Sequence, residues 1–196
     1  EYKDENEFIG NLLAEISLIK NSRIDIENFY SGVCGEEIFR DIYKKYETRL
    51  KENRLIDFDD MLSYTYELFK ERPDILALWQ NKFKYILIDE FQDINRLQYE
   101  IIKMLAAPQN NLFIVGDDDQ SIYRFRGSKP EIMLGFEKDY PSAKRILLDT
   151  NYRCGRYIVE TSLNLISHNK ERFDKKIIAA SKSKVPVTFA DFENRR

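Results

Sequence analysis

The stretch Tyr85–Asp93 constrains the fold most, because an uninterrupted apolar run ends abruptly in acidic residues. The run Tyr85–Ile88 does not alternate with polar residues, which predicts a strand covered on both faces, as in a parallel sheet. Ligands of such sheets bind just beyond the carboxyl ends of the strands. Asp89 and Glu90 follow there, and two neighbouring carboxylates can hold Mg²⁺ and activate a water. The same residues also fit a strand end whose acids cap the next helix.

Composition narrows the class of protein. The chain has 196 residues, of which 43% are hydrophobic, enough for one packed domain or for one domain and a fragment of another. The net charge of −3 means that any nucleic-acid contact needs a local basic patch. Cys34 and Cys154 stand far apart, and no signal peptide or membrane span is recognisable, which predicts a reducing, cytoplasmic setting. The single histidine, His168, lies in a polar segment, which argues against zinc and Ser-His-Asp chemistry.

Helical spacing of apolar residues dominates the first 82 residues. It predicts helices over 7–20 and 36–50 and a third helix capped by Asp57, with a further short helix after Pro73. The predicted inner stripe of the third helix is Phe58, Met61, Leu62, Thr65, Leu68 and Phe69.

From residue 85 onward, compact apolar runs at 85–88, 112–115 and 146–148 alternate with amphipathic segments, which predicts βαβ units with parallel strands. The intervening helices are predicted to follow capping boxes at Asn95/Gln98 and Ser128/Glu131, with another helix at 156–168. The basic stretch 170–184 is typical of a solvated linker, and 185–192 of the start of another strand.

Two further run ends carry polar and aromatic residues suited to phosphate and to single-stranded nucleic acid. After the second run, Gln120 can read a phosphate or an attacking water, while Tyr123, Phe125 and Arg126 offer a stacking surface with a cation. After the third run, Arg153 offers a fork of donors to phosphate, and Tyr152 a flat face to a base. The alternatives are aromatics packed under their loop and a salt-bridged structural arginine.

Three motifs in order carry a resemblance: Asp89–Asp93, Gly116–Gly127 and Asn151–Arg153. Together they resemble successive signature motifs of UvrD/Rep/PcrA-type superfamily 1 DNA helicases. The segment Asp57–Leu62 is similar to a family element shortly before the Walker B strand, although a capped helix explains it equally well.

The resemblance implies specific roles at the matching positions. Asp89 would hold Mg²⁺, and Glu90 would act as the general base for the attacking water. Gln92 and Gln120 would couple the γ-phosphate of ATP to the DNA site. Arg153 would contact the γ-phosphate. Tyr152 would stack on adenine, and the cluster of Tyr123, Phe125 and Arg126 would contact DNA.

The implied fold is α/β, a partial RecA-like parallel sheet flanked by helices and preceded by a helical segment. Residues 1–54 would belong to a helical 1B-like subdomain, 55–180 to the carboxyl-terminal part of the RecA-like 1A motor domain, and 181–196 to a linker or the start of a 2A-like domain. The implied partners are single-stranded DNA and duplex junctions, without a membrane.

The chain also departs from the family pattern. Phe125 stands where many relatives have Trp, and no Gly-x-x-x-x-Gly-Lys-[Ser/Thr] phosphate-binding loop occurs. We therefore expect an ATP-dependent helicase as the parent protein and no appreciable ATPase activity from this segment alone. The alternatives are a non-catalytic module that binds single-stranded DNA or regulates, and a metal-dependent nuclease using Asp117–Asp119.

Overall fold

The computed structural model describes residues 5–121, 130–183 and 185–188. This part of the chain is mixed α/β, and the protein divides into two compact units, Glu1–Met133 and Leu134–Arg196. The helices are α1 (Glu5–Ser22), α2 (Glu36–Glu52), α3 (Phe58–Glu71), α4 (Pro73–Lys82), α5 (Arg96–Ala106), α6 (Pro130–Leu134), α7 (Phe136–Asp139) and α8 (Arg156–Ile166). The strands are β1 (Ile86–Ile88), β2 (Leu112–Ile114), β3 (Thr150–Gly155) and β4 (Ile178–Ser181).

Strands β1 and β2 of the first unit pair in parallel, with Ile86 opposite Leu112 and Ile88 opposite Ile114. Since α5 lies between them in the chain, the predicted βαβ unit is confirmed here. The prediction that β1 is covered on both faces is wrong for the described chain, because Leu87 and its partner Phe113 are 71% and 56% exposed. Only the alternate face is half-buried.

The helices of the first unit follow the predicted periodicity. The helices predicted at 7–20 and 36–50 are confirmed as α1 and α2. Asp57 caps α3 by accepting from the Asp60 N–H, and the Asp60 side chain accepts from the Asp57 N–H in return. Asn95 and Gln98 form the same reciprocal pair at the start of α5, as predicted.

The predicted inner stripe of α3 is only partly right. Phe58 is 85% exposed, and Met61 and Leu68 are also exposed, whereas Phe69 and Leu62 pack inward. The first turn of α3, which carries Phe58 and Met61, is held by the polar contacts of the N-terminal cap rather than by apolar packing.

Two hydrophobic clusters form the interior of the first unit. One contains Leu12, Ile16, Ile19 and Phe39 of α1 and α2. The other joins Phe69 of α3 to Leu97 and Ile101 of α5. The subdomain boundary expected at residue 54 stays a prediction.

A buried ion cluster ties α1 to α2 and α3. The Lys20 side chain is 4% exposed, and its Nζ lies 2.7 Å from Glu47 Oε1, 2.7 Å from Asp57 Oδ2 and 2.8 Å from Asp60 Oδ1. The Tyr46 hydroxyl donates to Asp57 Oδ2 at 2.9 Å. One buried cation thus contacts three carboxylates, and a buried charge is tolerated only with such partners. We call these five residues the Lys20 cluster.

The pKa values of Lys20, Asp57 and Tyr46 differ from their ordinary values. Burial disfavours the Lys20 ammonium, but hydrogen bonds to its carboxylate partners outweigh burial and raise the pKa of Lys20. Burial likewise opposes ionisation of Asp57, but hydrogen bonds led by the one from Lys20 lower the pKa of Asp57 below its ordinary value. Burial, followed by the hydrogen bond to Asp57, raises the pKa of Tyr46 to about 12.

A second polar link runs from α1 to the start of α5. Asn21 Nδ2 donates to Asp59 Oδ1 at 2.7 Å, and Asn95 Nδ2 donates to Asn21 Oδ1 at 2.9 Å. Both asparagines are buried. Helix α1 is therefore hydrogen-bonded to the start of α5, the helix that directly follows the acidic motif Asp89–Asp93.

The second unit corrects the sequence prediction at two places. Residues 146–148 are not a strand, and Ile146 and Leu148 are 78% and 80% exposed. The strand begins at Thr150, because its parallel partner β4 aligns Ile178 with Thr150 and donates the Ile178 N–H to the Asp149 carbonyl. β4 also lies within 170–184, where a linker was predicted. The helix predicted at 156–168 is confirmed as α8.

The remaining predictions fall at the edges of the described ranges. A helix begins at Pro130 as expected, whereas Ser128 lies outside the described residues. Residues 185–188 form no strand, and residues 189–192, the rest of the predicted strand, lie outside the described residues. None of the helices in the described ranges is both long and apolar enough to span a membrane.

Candidate active site

The acidic motif folds as a tight turn directly after β1. Glu90 adopts a left-handed conformation, with φ 50° and ψ 41°, and residues 91–93 form one 3₁₀ turn. Phe91 is fully buried and meets Tyr99 edge-on, with ring centroids 5.8 Å apart. Left-handed non-glycine residues are uncommon and are enriched at functional sites, and in the described chain Arg23, Arg54 and Asn110 also have positive φ. The buried Phe91 ring therefore fixes the turn while the Glu90 side chain is exposed.

The two adjacent acids stay accessible at the strand end. Asp89 and Glu90 are both exposed, and Asp89 Oδ1 accepts the Glu90 N–H at 2.9 Å. The alternative that these acids cap the following helix is wrong, because Asn95 provides that cap. The carboxylates at this edge are thus left for another task.

Asp93 differs from its two neighbours. Its Oδ1 is buried, and among the described residues no donor reaches it. Burial, followed by the charge of Glu90, raises the pKa of Asp93. The turn therefore presents two exposed acids and one acid whose ionisation is opposed by its surroundings.

The loop after β2 is organised by Asp117. Its side chain accepts from the Asp119 N–H at 3.2 Å and from Gln120 Nε2 at 2.7 Å. Asp118 is buried, so the three consecutive aspartates do not face one ion. No group of three metal-ligating side chains occurs among the described residues. The geometry of this loop gives no support to the nuclease alternative.

Gln92 connects the two strand ends. Its side chain is buried; Nε2 donates to Glu90 Oε2 at 2.7 Å, and Oε1 accepts the Asp117 N–H at 3.0 Å. Because Gln120 in turn donates to Asp117, three hydrogen bonds link Gln120 to Glu90. The structure thus brings four predicted site residues together at one sheet edge: Asp89, Glu90, Gln92 and Gln120.

The other predicted site residues lie elsewhere in the chain. Tyr152 is 83% exposed and Arg153 is exposed, but both lie within β3 rather than beyond its end. The Asn151 side chain accepts from the Arg153 and Cys154 N–H groups, which shapes this strand. Within the described ranges the Arg153 guanidinium forms no ion pair, so the structural alternative lacks support there. The predicted DNA contacts Tyr123, Phe125 and Arg126 lie outside the described residues.

Sequence reasoning missed the part played by Gly116. A Cβ built on Gly116 would lie 2.6 Å from Gln92 Oε1, closer than real Cβ contacts allow, and in tight contact with Gln92 N at 3.2 Å. The signal was present, since a glycine directly after an apolar run indicates a close backbone approach. Asp117 was considered only as a metal ligand, whereas its main-chain and side-chain hydrogen bonds organise the loop.

Comparisons with known proteins agree on one family. Residues 2–141 match the sequence model of the UvrD/REP helicase N-terminal domain. The chain is 48% identical over 187 residues to YjcD of Bacillus subtilis (strain 168), which covers 94% of this chain and 24% of that protein. It is 39% identical over 187 residues to the ATP-dependent DNA helicase PcrA of the same strain, with coverage of 94% and 25%. The chain therefore spans about a quarter of the length of these relatives.

Proposed function

This chain belongs to the UvrD/REP helicase N-terminal domain family, and on that premise we propose that the whole protein carrying it is an ATP-dependent DNA helicase. It would act in the cytoplasm, couple ATP hydrolysis to movement along single-stranded DNA and unwind duplex at junctions. The relatives named ATP-dependent DNA helicase PcrA support the proposal of ATP as the nucleotide and DNA as the nucleic acid.

One observation carries the proposal: the exposed Glu90 carboxylate at the carboxyl end of a parallel strand, held by the buried Gln92 amide. Nucleotides bind at this edge of open parallel sheets. A general base must be both accessible to a water and fixed in direction. Glu90 meets both conditions, and we assign it the removal of a proton from the attacking water.

Asp89 is suited to holding Mg²⁺. Mg²⁺ is usually bound through one or two carboxylates together with the phosphates of the substrate, so no larger cluster of acids is required. Asp89 is exposed beside Glu90, and one of its oxygens is already oriented by the Glu90 N–H. When bound, the ion would neutralise charge that develops on the phosphates.

The remaining residues are assigned by their chemistry and their place in the family motifs. Gln120 and Arg153 are assigned to the γ-phosphate, and Tyr152, which is largely exposed, to stacking on adenine. Tyr123, Phe125 and Arg126 are assigned to DNA, since aromatic rings with a nearby cation bind single strands regardless of sequence.

The test is DNA-stimulated ATP hydrolysis by the whole protein with Glu90→Gln, which keeps the shape of the side chain. We expect hydrolysis to fall by roughly 10²- to 10⁴-fold, the usual contribution of a general base. Binding of a fluorescent ATP analogue should be retained. Glu52→Gln, which changes an exposed acid at the end of α2, is the control and should hydrolyse normally. Wild-type hydrolysis by the Glu90→Gln protein would refute the proposal.

Residues 1–196 alone are proposed to lack ATPase activity, because the sequence contains no phosphate-binding loop to hold the β- and γ-phosphates. The measurement is hydrolysis by the purified segment with and without single-stranded DNA. DNA-stimulated hydrolysis that Glu90→Gln abolishes would contradict this expectation.

A further inference from the structure

The Gln92 side chain is buried, and both of its polar atoms are engaged within the protein. Its exposed fraction is 2%, its amide nitrogen donates to Glu90 Oε2, and its amide oxygen accepts the Asp117 N–H. A side chain that contacts a phosphate needs both an accessible surface and a donor that is not already committed. Gln92 offers no accessible surface in this structure, and its amide nitrogen already donates to Glu90, although its family motif suggests a part in the nucleotide site.

The surroundings of Gln92 are built to hold it in place. Gly116 passes so close that a Cβ there would lie 2.6 Å from Gln92 Oε1. The Gln92 carbonyl accepts the Ser121 hydroxyl at 3.3 Å, and the Phe91 N–H of the same turn donates to the Val115 carbonyl at 2.9 Å. The turn after β1 and the loop after β2 are therefore fastened to each other on both sides of this glutamine.

We infer that Gln92 is a positioning residue for the reaction: it directs the Glu90 carboxylate and ties that carboxylate to the loop 116–121, without touching the nucleotide. The inference rests on the proposed role of Glu90 as general base. Glu90 sits in a strained left-handed conformation with an exposed side chain, so a donor at 2.7 Å is what restricts the direction of its carboxylate. Gly116 is part of the same arrangement, because a Cβ at this position would overlap the Gln92 amide.

The main experiment measures kcat, nucleotide affinity and thermal unfolding of the whole protein with Gln92→Met. Methionine keeps the length and apolar packing of the buried side chain but removes both hydrogen bonds. We expect kcat to fall roughly 10- to 100-fold, as is usual when a supporting hydrogen bond to a reacting group is lost. Affinity for a fluorescent ATP analogue should stay unchanged, because Gln92 makes no contact with the nucleotide.

Gly116→Ala provides a second route that leaves the glutamine in the chain. Its Cβ would displace the Gln92 amide, so kcat should fall while nucleotide affinity is retained. In a Gln92→Ala background the 2.6 Å contact with Gln92 Oε1 is gone and only the 3.2 Å approaches to Gln92 N and Met133 Sδ remain, so Gly116→Ala should lower kcat less there than in the wild type. Such non-additivity is the mark of two residues acting as one unit.

Gln80→Met is the matched control. Gln80 is another partly buried glutamine whose Nε2 donates to the Met104 carbonyl at 2.8 Å, away from the strand ends. Its loss should leave kcat unchanged, even if the unfolding midpoint falls. A merely structural role of Gln92 would give the same pattern as this control.

The outcomes separate this inference from the proposed function. If Glu90→Gln abolishes hydrolysis but Gln92→Met and Gly116→Ala both hydrolyse at the wild-type rate, only the inference is overturned. Loss of nucleotide affinity with normal kcat in Gln92→Met would also overturn it, since that result indicates direct contact. Normal hydrolysis by Glu90→Gln would remove the proposed function itself.

Discussion

The Lys20 cluster and the turn after β1 both contain several carboxylates, but the surroundings of these carboxylates differ. In the Lys20 cluster three acids contact one buried ammonium. At the strand end, Asp89 and Glu90 are exposed, and a single neutral amide directs Glu90. The difference teaches that charged side chains in this chain stabilise the fold where they are buried and ion-paired. They are available for chemistry where they are exposed and held only by a neutral hydrogen-bond donor.

The largest loss of stability is expected from Lys20→Met, which removes the cation of the Lys20 cluster. Removing the ammonium leaves three carboxylates together without their cation, and breaking a buried ion pair costs about 3–5 kcal/mol. Urea unfolding of the 196-residue chain measures the loss. Lys45→Met is the control: its ion pair with Asp41 is on the surface, and such pairs contribute at most about 1 kcal/mol. Equal losses in the two variants would contradict the structural role of the Lys20 cluster.

A smaller loss of stability is expected from Asn95→Ala. Asn95 lies at the start of α5, where α1 is linked to the helix that follows the turn after β1. Asn95 caps α5 and donates to Asn21, so the variant loses a cap worth about 0.5–2 kcal/mol and an internal hydrogen bond. The free energy of unfolding in urea is the readout. Asn53→Ala removes an exposed amide at the end of α2 and should cost less. If both variants cost the same, the link from α1 to α5 does not contribute.

The smallest effect is a pH dependence that belongs to the Lys20 cluster. The pKa of Tyr46 is about 12 in the folded chain against an ordinary 10.0. A raised folded pKa contributes stability that is complete below the unfolded pKa and is lost as the pH rises through the folded value. The stability advantage of the wild type over Tyr46→Phe should therefore be constant up to about pH 10 and shrink between pH 10 and 12. An advantage that persists unchanged to pH 12 would show that the Tyr46 proton is not linked to folding.

Much of the local fold could be predicted because it depends on neighbours in sequence. The caps at Asp57 and Asn95 need only residues three positions apart, and α1, α2 and α8 follow from apolar periodicity. The third predicted strand was wrong because strand position depends on a partner far along the chain. The apolar run at 146–148 has no strand partner among the residues that the structure describes, whereas Thr150 aligns with Ile178 in a stretch that is otherwise rich in lysine.

The residues of the candidate site could be predicted from the sequence, but the hydrogen bonds that connect them could not. Motif spacing pointed to Asp89, Glu90 and Gln120, and the structure places them at neighbouring strand ends. No local pattern indicates that Gln92 turns inward, since its burial depends on the close approach of Gly116, 24 positions later in the sequence. The Lys20 cluster was missed for the same reason: its members come from three separate helices and their caps.

The most direct test of the account is a crystal structure of the whole protein with a non-hydrolysable ATP analogue. We predict that the γ-phosphate lies beside Glu90 and Gln120 at the carboxyl ends of β1 and β2, with Gln92 still buried and hydrogen-bonded to Glu90. A nucleotide bound away from the carboxyl ends of β1 and β2, or a Gln92 amide turned outward onto the phosphate, would contradict it.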